Sequence, residues 1–187
     1  SAFVAQIGGL QTTIFDPSIA NLFFSDNAAD AEVRGVEADM IWVPESVEGL
    51  TISASISMLD TEITKTLTTS KDVVAGDSLA FAPEFQGNLQ ARYEWQTASG
   101  MTAHIMPHLA HSAESYSDII RINRDRIAGW TMLGLTAGVT TDTWGAELFI
   151  NNLTDERAEL SRNYINDRER VSYAAPRTMG VRMTYNF

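Results

Sequence analysis

The sequence predicts an all-β protein whose antiparallel strands cross a membrane as the wall of a β-barrel. Three observations support this fold class: apolar residues recur at every second position, short and long connections alternate, and aromatic residues gather near strand ends. The chain has 187 residues, and its hydrophobic content of 44% is enough for a sizeable buried surface. No apolar run approaches the roughly 18 residues that a membrane-spanning helix requires.

The alternation is clearest in the stretch FQGNLQARYEW at 85–95. One face carries Leu89, Tyr93 and Trp95, while the intervening positions are polar or charged. Successive side chains of a strand point to opposite faces of a sheet, so this stretch has one apolar and one polar face. Phe149 is the clearest exception, a bulky aromatic residue on a face that is otherwise mostly polar.

Repetition of this pattern predicts about eight strands, separated by turn residues. The predicted strands lie near 3–14, 33–43, 50–63, 84–96, 101–116, 129–141, 144–154 and 176–187.

The connections between these strands alternate in length. Three are short, and they alternate with four long ones, so the short connections fall at one end of the sheet and the long ones at the other. A transmembrane barrel has short periplasmic turns and longer extracellular loops, whereas a soluble sandwich has no reason for this segregation. The short connections are 44–49, 97–100 and 141–143, and the long ones are near 15–32, 64–83, 117–128 and 155–175.

Aromatic residues mark both ends of the predicted strands. Trp42, Trp95 and Trp144 lie within a residue or two of a short connection, and the antiparallel count places Tyr185 at the same end. Trp130 lies near a long-loop end. Aromatic girdles at the two membrane interfaces are expected of a transmembrane barrel, so these residues are predicted interface aromatics.

A soluble eight-stranded barrel of lipocalin type, or a sandwich, is the alternative fold in this size range. Its apolar face would point inward and its other face would be exposed and rich in Lys, Glu and Asp. Here the polar face is largely Gly, Ser, Thr, Gln and Asn. This composition favours a hydrated lumen and therefore the membrane barrel.

Composition and motifs exclude several other functions. A formal charge of −11 and scattered basic residues argue against nucleic-acid binding, and the absence of cysteine excludes thiolate metal sites. His104 and His108 share the polar face but lie about 13 Å apart along a strand, too far to chelate one ion. No catalytic motif is present, so the sequence predicts neither an enzyme nor a metal or cofactor site.

Four stretches resemble the C-terminal part of a TonB-dependent receptor, the plugged outer-membrane transporter of Gram-negative bacteria. These are AEVRGVEADMIWVP at 31–44, GLTISASISMLDTEI at 49–63, ELFINNLTDERAEL at 147–160 and PRTMGVRMTYNF at 176–187. Their order and spacing cover most of the chain. In the family they correspond to strands flanking a periplasmic turn, the penultimate strand and the final strand.

The resemblance implies that residues 1–187 are the C-terminal segment of a barrel of about 22 strands, without its plug and N-terminal strands. It also implies energised uptake of a scarce nutrient, most often a ferric siderophore or similar chelate. The expected partners are outer-membrane lipid, the remainder of the receptor, TonB through the N-terminal region, and the barrel-assembly machinery, for which Phe187 would be the recognition signal. The alternative is a complete eight-stranded outer-membrane protein with a structural or adhesive role.

The last long loop is the candidate ligand-contacting segment. It mixes acids, arginines and tyrosines, and Arg162, Tyr164, Arg168 and Arg170 are the predicted contacts to an anionic or sugar-like ligand. The alternative is a solvated loop neutralised by its own acids, since 155–170 holds five acids and four arginines.

Overall fold

The computed structural model describes residues 1–15, 23–165 and 168–187, and it confirms the all-β prediction. One antiparallel sheet contains eight strands, and two short hairpins lie in the connections between them. The only helical element described is a 3-10 turn at Arg121–Asn123. The strands are β1 Ala2–Phe15, β2 Phe23–Trp42, β3 Leu50–Thr66, β4 Phe85–Gln96, β5 Thr102–Ser112, β6 Ser115–Tyr116, β7 Arg126–Ile127, β8 Trp130–Thr140, β9 Trp144–Asn151, β10 Glu159–Ile165, β11 Arg168–Tyr173 and β12 Thr178–Tyr185.

The large sheet is an open meander with the order β1-β2-β3-β4-β5-β8-β9-β12. Each strand pairs with the next one in the chain, and only the hairpins β6–β7 and β10–β11 stand outside this sequence. Among the described residues, β1 and β12 are the two edges and do not pair with each other. The register places Leu89 opposite Ala54 on one neighbouring strand and opposite Leu109 on the other.

The register gives the sheet an apolar face and a polar face. The apolar face contains Leu89, and its large side chains remain exposed rather than buried in a core. A sheet normally buries its apolar face, so this one requires an apolar surrounding. Exposed members of the apolar face are Val36, Met40, Trp42, Ile56, Met58, Tyr93, Trp95, Ile105, Leu133, Trp144, Leu148, Met179, Val181, Met183 and Tyr185.

The aromatic residues of the short-connection end lie together on the apolar face. Trp144 pairs with Tyr185 across β9 and β12, and the rings of Tyr93 and Trp95 stack at 5.5 Å. Trp130 begins β8 at the opposite end, where its register with Ser112 places it on the polar face. Phe187 lies beyond the end of β12 and is fully exposed, with its ring 5.9 Å from that of Tyr185.

Several strand bounds differ from those that the sequence predicts. The predicted loop 15–32 is wrong over its second half, because β2 begins at Phe23 and pairs with β1 from there. The predicted loop 155–175 contains the hairpin β10–β11. Three predicted strands are too long, since β5 ends at Ser112, β9 at Asn151 and β12 at Tyr185.

Buried hydrophobic residues form a small core at the long-loop end of the sheet. Its members come from β1, β2, β3 and two of the long connections, so it joins strand extensions to loops. The buried residues of this core are Ile14, Ala28, Ala29, Ile63, Val73 and Ile119. None of the described segments forms a helix long and apolar enough to cross a membrane.

Candidate functional site

Three long connections meet at the long-loop end of the sheet. We call them loop A (67–84), between β3 and β4, loop B (113–129), between β5 and β8, and loop C (152–177), between β9 and β12. Val73 of loop A and Ile119 of loop B share the small hydrophobic core. Loops A and B therefore form a packed structure of their own above the sheet.

Two arginines of loop B bind loop A. The Arg121 guanidinium donates two hydrogen bonds to the Asp77 carboxylate, at 3.0 and 3.1 Å. Arg124 donates to the carbonyl oxygen and the hydroxyl of Ser78, at 2.9 and 2.8 Å, and lies 4.0 Å above the Tyr116 ring. Paired donors of this kind fix orientation as well as distance, so loops A and B are held as one unit.

The same contacts change the ionisation of the acids involved. Hydrogen bonding to the Arg121 guanidinium lowers the pKa of the Asp77 carboxyl below its ordinary value, and burial opposes this only in part. The Arg126 guanidinium likewise lowers the pKa of Glu114. Both carboxylates are therefore stabilised in their charged form.

Loop C carries the hairpin β10–β11, whose arginine Arg162 is surrounded by acids. Its guanidinium donates to both carboxylate oxygens of Glu159, at 2.7 and 2.9 Å, and to one carboxylate oxygen of Glu169, at 2.5 Å. It also lies 3.7 Å from the carboxylate of Asp125 in loop B. Hydrogen bonding to Glu159 raises the pKa of Arg162 above its ordinary value. Tyr164 donates a hydrogen bond to Asp125, which raises the pKa of the tyrosine.

The hairpin register divides the four predicted ligand contacts into two pairs. Arg162 and Tyr164 share one face of the hairpin and contact Asp125. Arg168 and Arg170 lie on β11 with the opposite parity, where both are exposed. Among the described residues, no carboxylate forms a salt bridge with either of them. The second pair is therefore the more accessible to an anion.

The polar face of the sheet carries a second group of charged residues. His104 of β5 is buried, with Nε2 3.2 Å from Oε1 of Glu147, whose other oxygen accepts from Arg182 at 3.0 Å. Despite this proximity, neither ring nitrogen of His104 has a hydrogen-bond partner among the described residues. The sequence had indicated the shared face of His104 and His108, but not the link from His104 to Glu147.

Two glycines of β8 make room for these imidazoles. Gly138 pairs with His104 and Gly134 with His108. A Cβ at Gly138 would lie 2.9 Å from Cε1 of His104, and one at Gly134 would lie 2.1 Å from Nε2 of His108. Phe149 likewise lies over Gly180, its pairing partner on β12. An aromatic ring can cover a neighbouring glycine, and this explains the presence of Phe149 on the polar face.

Comparison with known protein families identifies the family to which this sheet belongs. The family model for the β-barrel of TonB-dependent receptor-like proteins matches residues 1–153. The chain belongs to the TonB-dependent receptor family. This confirms the resemblance found in the sequence, and the family is one of receptors rather than a class of enzymes. Comparison with curated protein sequences gives no significant match.

Solved structures of TonB-dependent receptors share the fold of this receptor chain. The ferric preacinetobactin receptor BauA from Acinetobacter baumannii is 21% identical with a TM-score of 0.74, and the match covers 100% of this chain and 26% of that one. The ferric yersiniabactin uptake receptor FyuA from Yersinia pestis is 16% identical with a TM-score of 0.79, covering 100% and 27%. The ferripyoverdine receptor of the Pseudomonas aeruginosa outer membrane is 16% identical with a TM-score of 0.68, covering 100% and 24%. The receptor chain thus spans about a quarter of these relatives.

Proposed function

We propose that this chain is the C-terminal wall segment, residues 1–187, of a bacterial outer-membrane transporter that imports a scarce nutrient with energy delivered through TonB. The observation that carries the proposal is an open antiparallel sheet whose apolar face is exposed along its whole width. Lipid is the surrounding that this face requires. The edges β1 and β12 need further strands, because unpaired backbone groups are not tolerated in a bilayer.

The remainder of the receptor would supply those strands, the plug and the segment that contacts TonB. The polar face, with its hydroxyl, amide and charged side chains, would line the lumen beside the plug. Trp42, Trp95, Trp144 and Tyr185 would lie at the periplasmic interface, since they gather on the apolar face at the short-connection end. Trp130 lies on the polar face, so in the same scheme it would line the lumen at the outer end instead of meeting lipid. The exposed terminal aromatic Phe187 would be read by the barrel-assembly machinery.

A ferric siderophore or a similar anionic chelate is the proposed cargo. The named structural relatives are receptors for ferric preacinetobactin, ferric yersiniabactin and ferripyoverdine. At the extracellular end of this chain, Arg168 and Arg170 offer two exposed guanidinium groups on one side of a hairpin. Arg162 and Tyr164, which are already bound to acids, would support the hairpin beside the ligand.

Uptake of radioactive iron by cells tests this function. A strain lacking the full receptor gene, and the same strain carrying the gene, are compared on a panel of ferric chelates. The proposal predicts accumulation of at least one chelate that requires the gene and stops when a protonophore removes the proton gradient. Gene-independent uptake of every chelate tested, or uptake that survives the protonophore, would contradict it.

Charge reversal separates the two guanidinium groups from general surface charge. Arg168→Glu with Arg170→Glu should raise the KM for uptake and leave the maximal rate nearly unchanged, because ligand capture precedes translocation. Lys65→Glu with Lys71→Glu, which reverses two exposed charges at the end of β3 and in loop A, is the matched control. An equal effect of both changes would remove the specific role of the arginines.

A further inference from the structure

The hairpin β10–β11 is firmly anchored at its base. The buried side chain of Asn152 donates to the carbonyl oxygens of Glu156 and Ala175, both at 2.9 Å, and accepts from the backbone of Glu156 at 2.8 Å. Directly above, the backbone of Ala174 donates to Ala158 at 2.8 Å. These bonds join both ends of loop C to the top of β9 and fix where the hairpin emerges.

Above this base the two arms are attached to little else. β10 and β11 pair with each other in a separate two-stranded sheet and not with the large sheet. Leu160 and Tyr173 on these arms are about half exposed, at 47% and 54%. An isolated two-stranded hairpin is only marginally stable in water, so its position depends on the few contacts it makes with its surroundings.

Asp125 of loop B supplies the polar contact that holds the arms. Its carboxylate accepts from the Tyr164 hydroxyl and lies 3.7 Å from Nη1 of Arg162. The contact falls on one face of the hairpin, the face opposite Arg168 and Arg170. Tyr164 is 36% exposed and the Arg162 side chain 25%, so the side of the hairpin that meets Asp125 is its more covered side.

Asp125 itself is a fixed point. Its backbone donates to the Ser117 hydroxyl at 2.8 Å, and that hydroxyl donates to the carbonyl oxygen of Asn123 at 2.6 Å. Loop B is in turn joined to loop A through Arg121 and Arg124. The carboxylate therefore belongs to the joint structure of loops A and B, whereas its two partners belong to the hairpin.

We infer that β10–β11 is a flap hinged at Asn152 and held in its present position by a latch between Asp125 and the pair Arg162–Tyr164. Release of the latch frees the arms while the base bonds remain. Because the flap carries Arg168 and Arg170, the latch determines the position of these two guanidinium groups. A role of the flap in capturing cargo rests on the proposed transport function, whereas the latch does not.

Glu159 and Glu169 hold the Arg162 side chain in place when the latch is released. Both bind Arg162 from within the hairpin, so its guanidinium remains neutralised without Asp125. The unlatched flap consequently leaves no unpaired buried charge, so its release does not carry the desolvation cost of a broken buried ion pair.

Hydrogen–deuterium exchange of the full receptor in lipid nanodiscs, without cargo, tests the latch. Asp125→Ala removes both contacts and leaves the backbone bond to Ser117, and Tyr164→Phe removes only the hydroxyl. We expect amide exchange in β10 and β11 to rise roughly tenfold or more in Asp125→Ala, the factor that loss of one charge-assisted hydrogen bond produces. Tyr164→Phe should give a smaller rise, and the double variant should match Asp125→Ala because both changes act on one contact.

Tyr173→Phe is the control, since it makes the same change on the other arm, away from Asp125. It should leave exchange in the hairpin unchanged, and all variants should leave exchange in β5 unchanged. Hairpin exchange equal to the wild type in Asp125→Ala would overturn the latch, as would equal acceleration in β5. Because no cargo is present, failure of the transport proposal would not alter any of these results.

Discussion

Replacement of Leu89 by arginine is the perturbation that best reports the surroundings of the apolar face. Leu89 lies in the middle of the row formed with Ala54 and Leu109, and it is 46% exposed. It stands six positions from Trp95, about 20 Å along the strand at 3.4 Å per residue. With a strand tilt near 40°, this corresponds to about 15 Å of depth in an apolar band about 25 Å tall.

The cost of a charge at that depth follows directly. An arginine near the bilayer midplane on the lipid side of a barrel costs about 2–4 kcal/mol. The neighbouring change Gln90→Arg points to the polar face, opposite His108, and should change the free energy of unfolding by no more than about 0.5 kcal/mol. The two substitutions differ by one position along the strand, so they share backbone, depth and added charge.

The assay is equilibrium unfolding of the full receptor in phospholipid vesicles by guanidinium chloride, followed by tryptophan fluorescence. We expect Leu89→Arg to lower the unfolding free energy by about 2–4 kcal/mol, and Leu89→Gln to fall between it and the wild type. If Leu89→Arg costs no more than Gln90→Arg, the apolar face does not meet lipid and the reasoning is refuted.

Three further predictions concern single contacts. Gly138→Ala should lower the free energy of unfolding by about 1–3 kcal/mol, because the added Cβ would lie 2.7 Å from the backbone oxygen of Ala146, which has little room to move. Lowering the pH should release loop A, and amide exchange of that loop measures the release. Because the folded protein lowers the pKa of Asp77, this carboxylate contributes its full stabilisation above the ordinary pKa of 3.8, and the contribution is lost as the pH falls through the lowered pKa. Asn152→Ala should destabilise the hairpin base by about 1–3 kcal/mol, since it removes three hydrogen bonds to the backbone of Glu156 and Ala175. Limited proteolysis of loop C reports this.

Each of these three has its own control. Gly8→Ala in β1 is the comparison for strand packing, because its added Cβ would meet only Asp30 Oδ1, at 4.0 Å. Equal cost at both glycines would argue against the contact at Gly138. Asp77→Asn should abolish the acid dependence of loop A, and persistence of that dependence would assign it elsewhere. Asn151→Ala, at an exposed position beside Asn152, should leave proteolysis unchanged, and equal cleavage of both variants would contradict the role of the base.

The main features of the sheet were predictable from local pattern. Period-2 alternation located all eight strands of the sheet, because one apolar face repeats in each, and the short connections were placed correctly. The alternation also separated His104 from His111, which pairs with Thr131 on the apolar side. The sequence made no prediction of register, which is shifted by bulges in the pairings of β1 with β2 and of β2 with β3.

Features that depend on contacts between distant loops were not predictable. The extension of β2 back to Phe23 runs through an Ala- and Asp-rich stretch, and it is stabilised by pairing with β1 and by burial of Ala28 and Ala29 against loop residues. The strands β10 and β11 are rich in charged residues, and apolar and polar residues alternate only weakly along them, so the sequence did not indicate a hairpin. Two partners of Arg162 lie within its own loop, as the number of acids in that loop indicated. The contact of Arg162 with Asp125 could not be predicted, because it depends on the relative position of loops B and C.

The most direct test of the central claim is a comparison of native and denatured mass for the 20.6 kDa chain produced alone in detergent. An open wall segment has two unpaired edges, β1 and β12, so we predict that it does not persist as a folded monomer and is recovered unfolded or in association with further polypeptide. A folded 20.6 kDa monomer with protected amides along both edges would contradict this account, because the chain would then close a small barrel by itself.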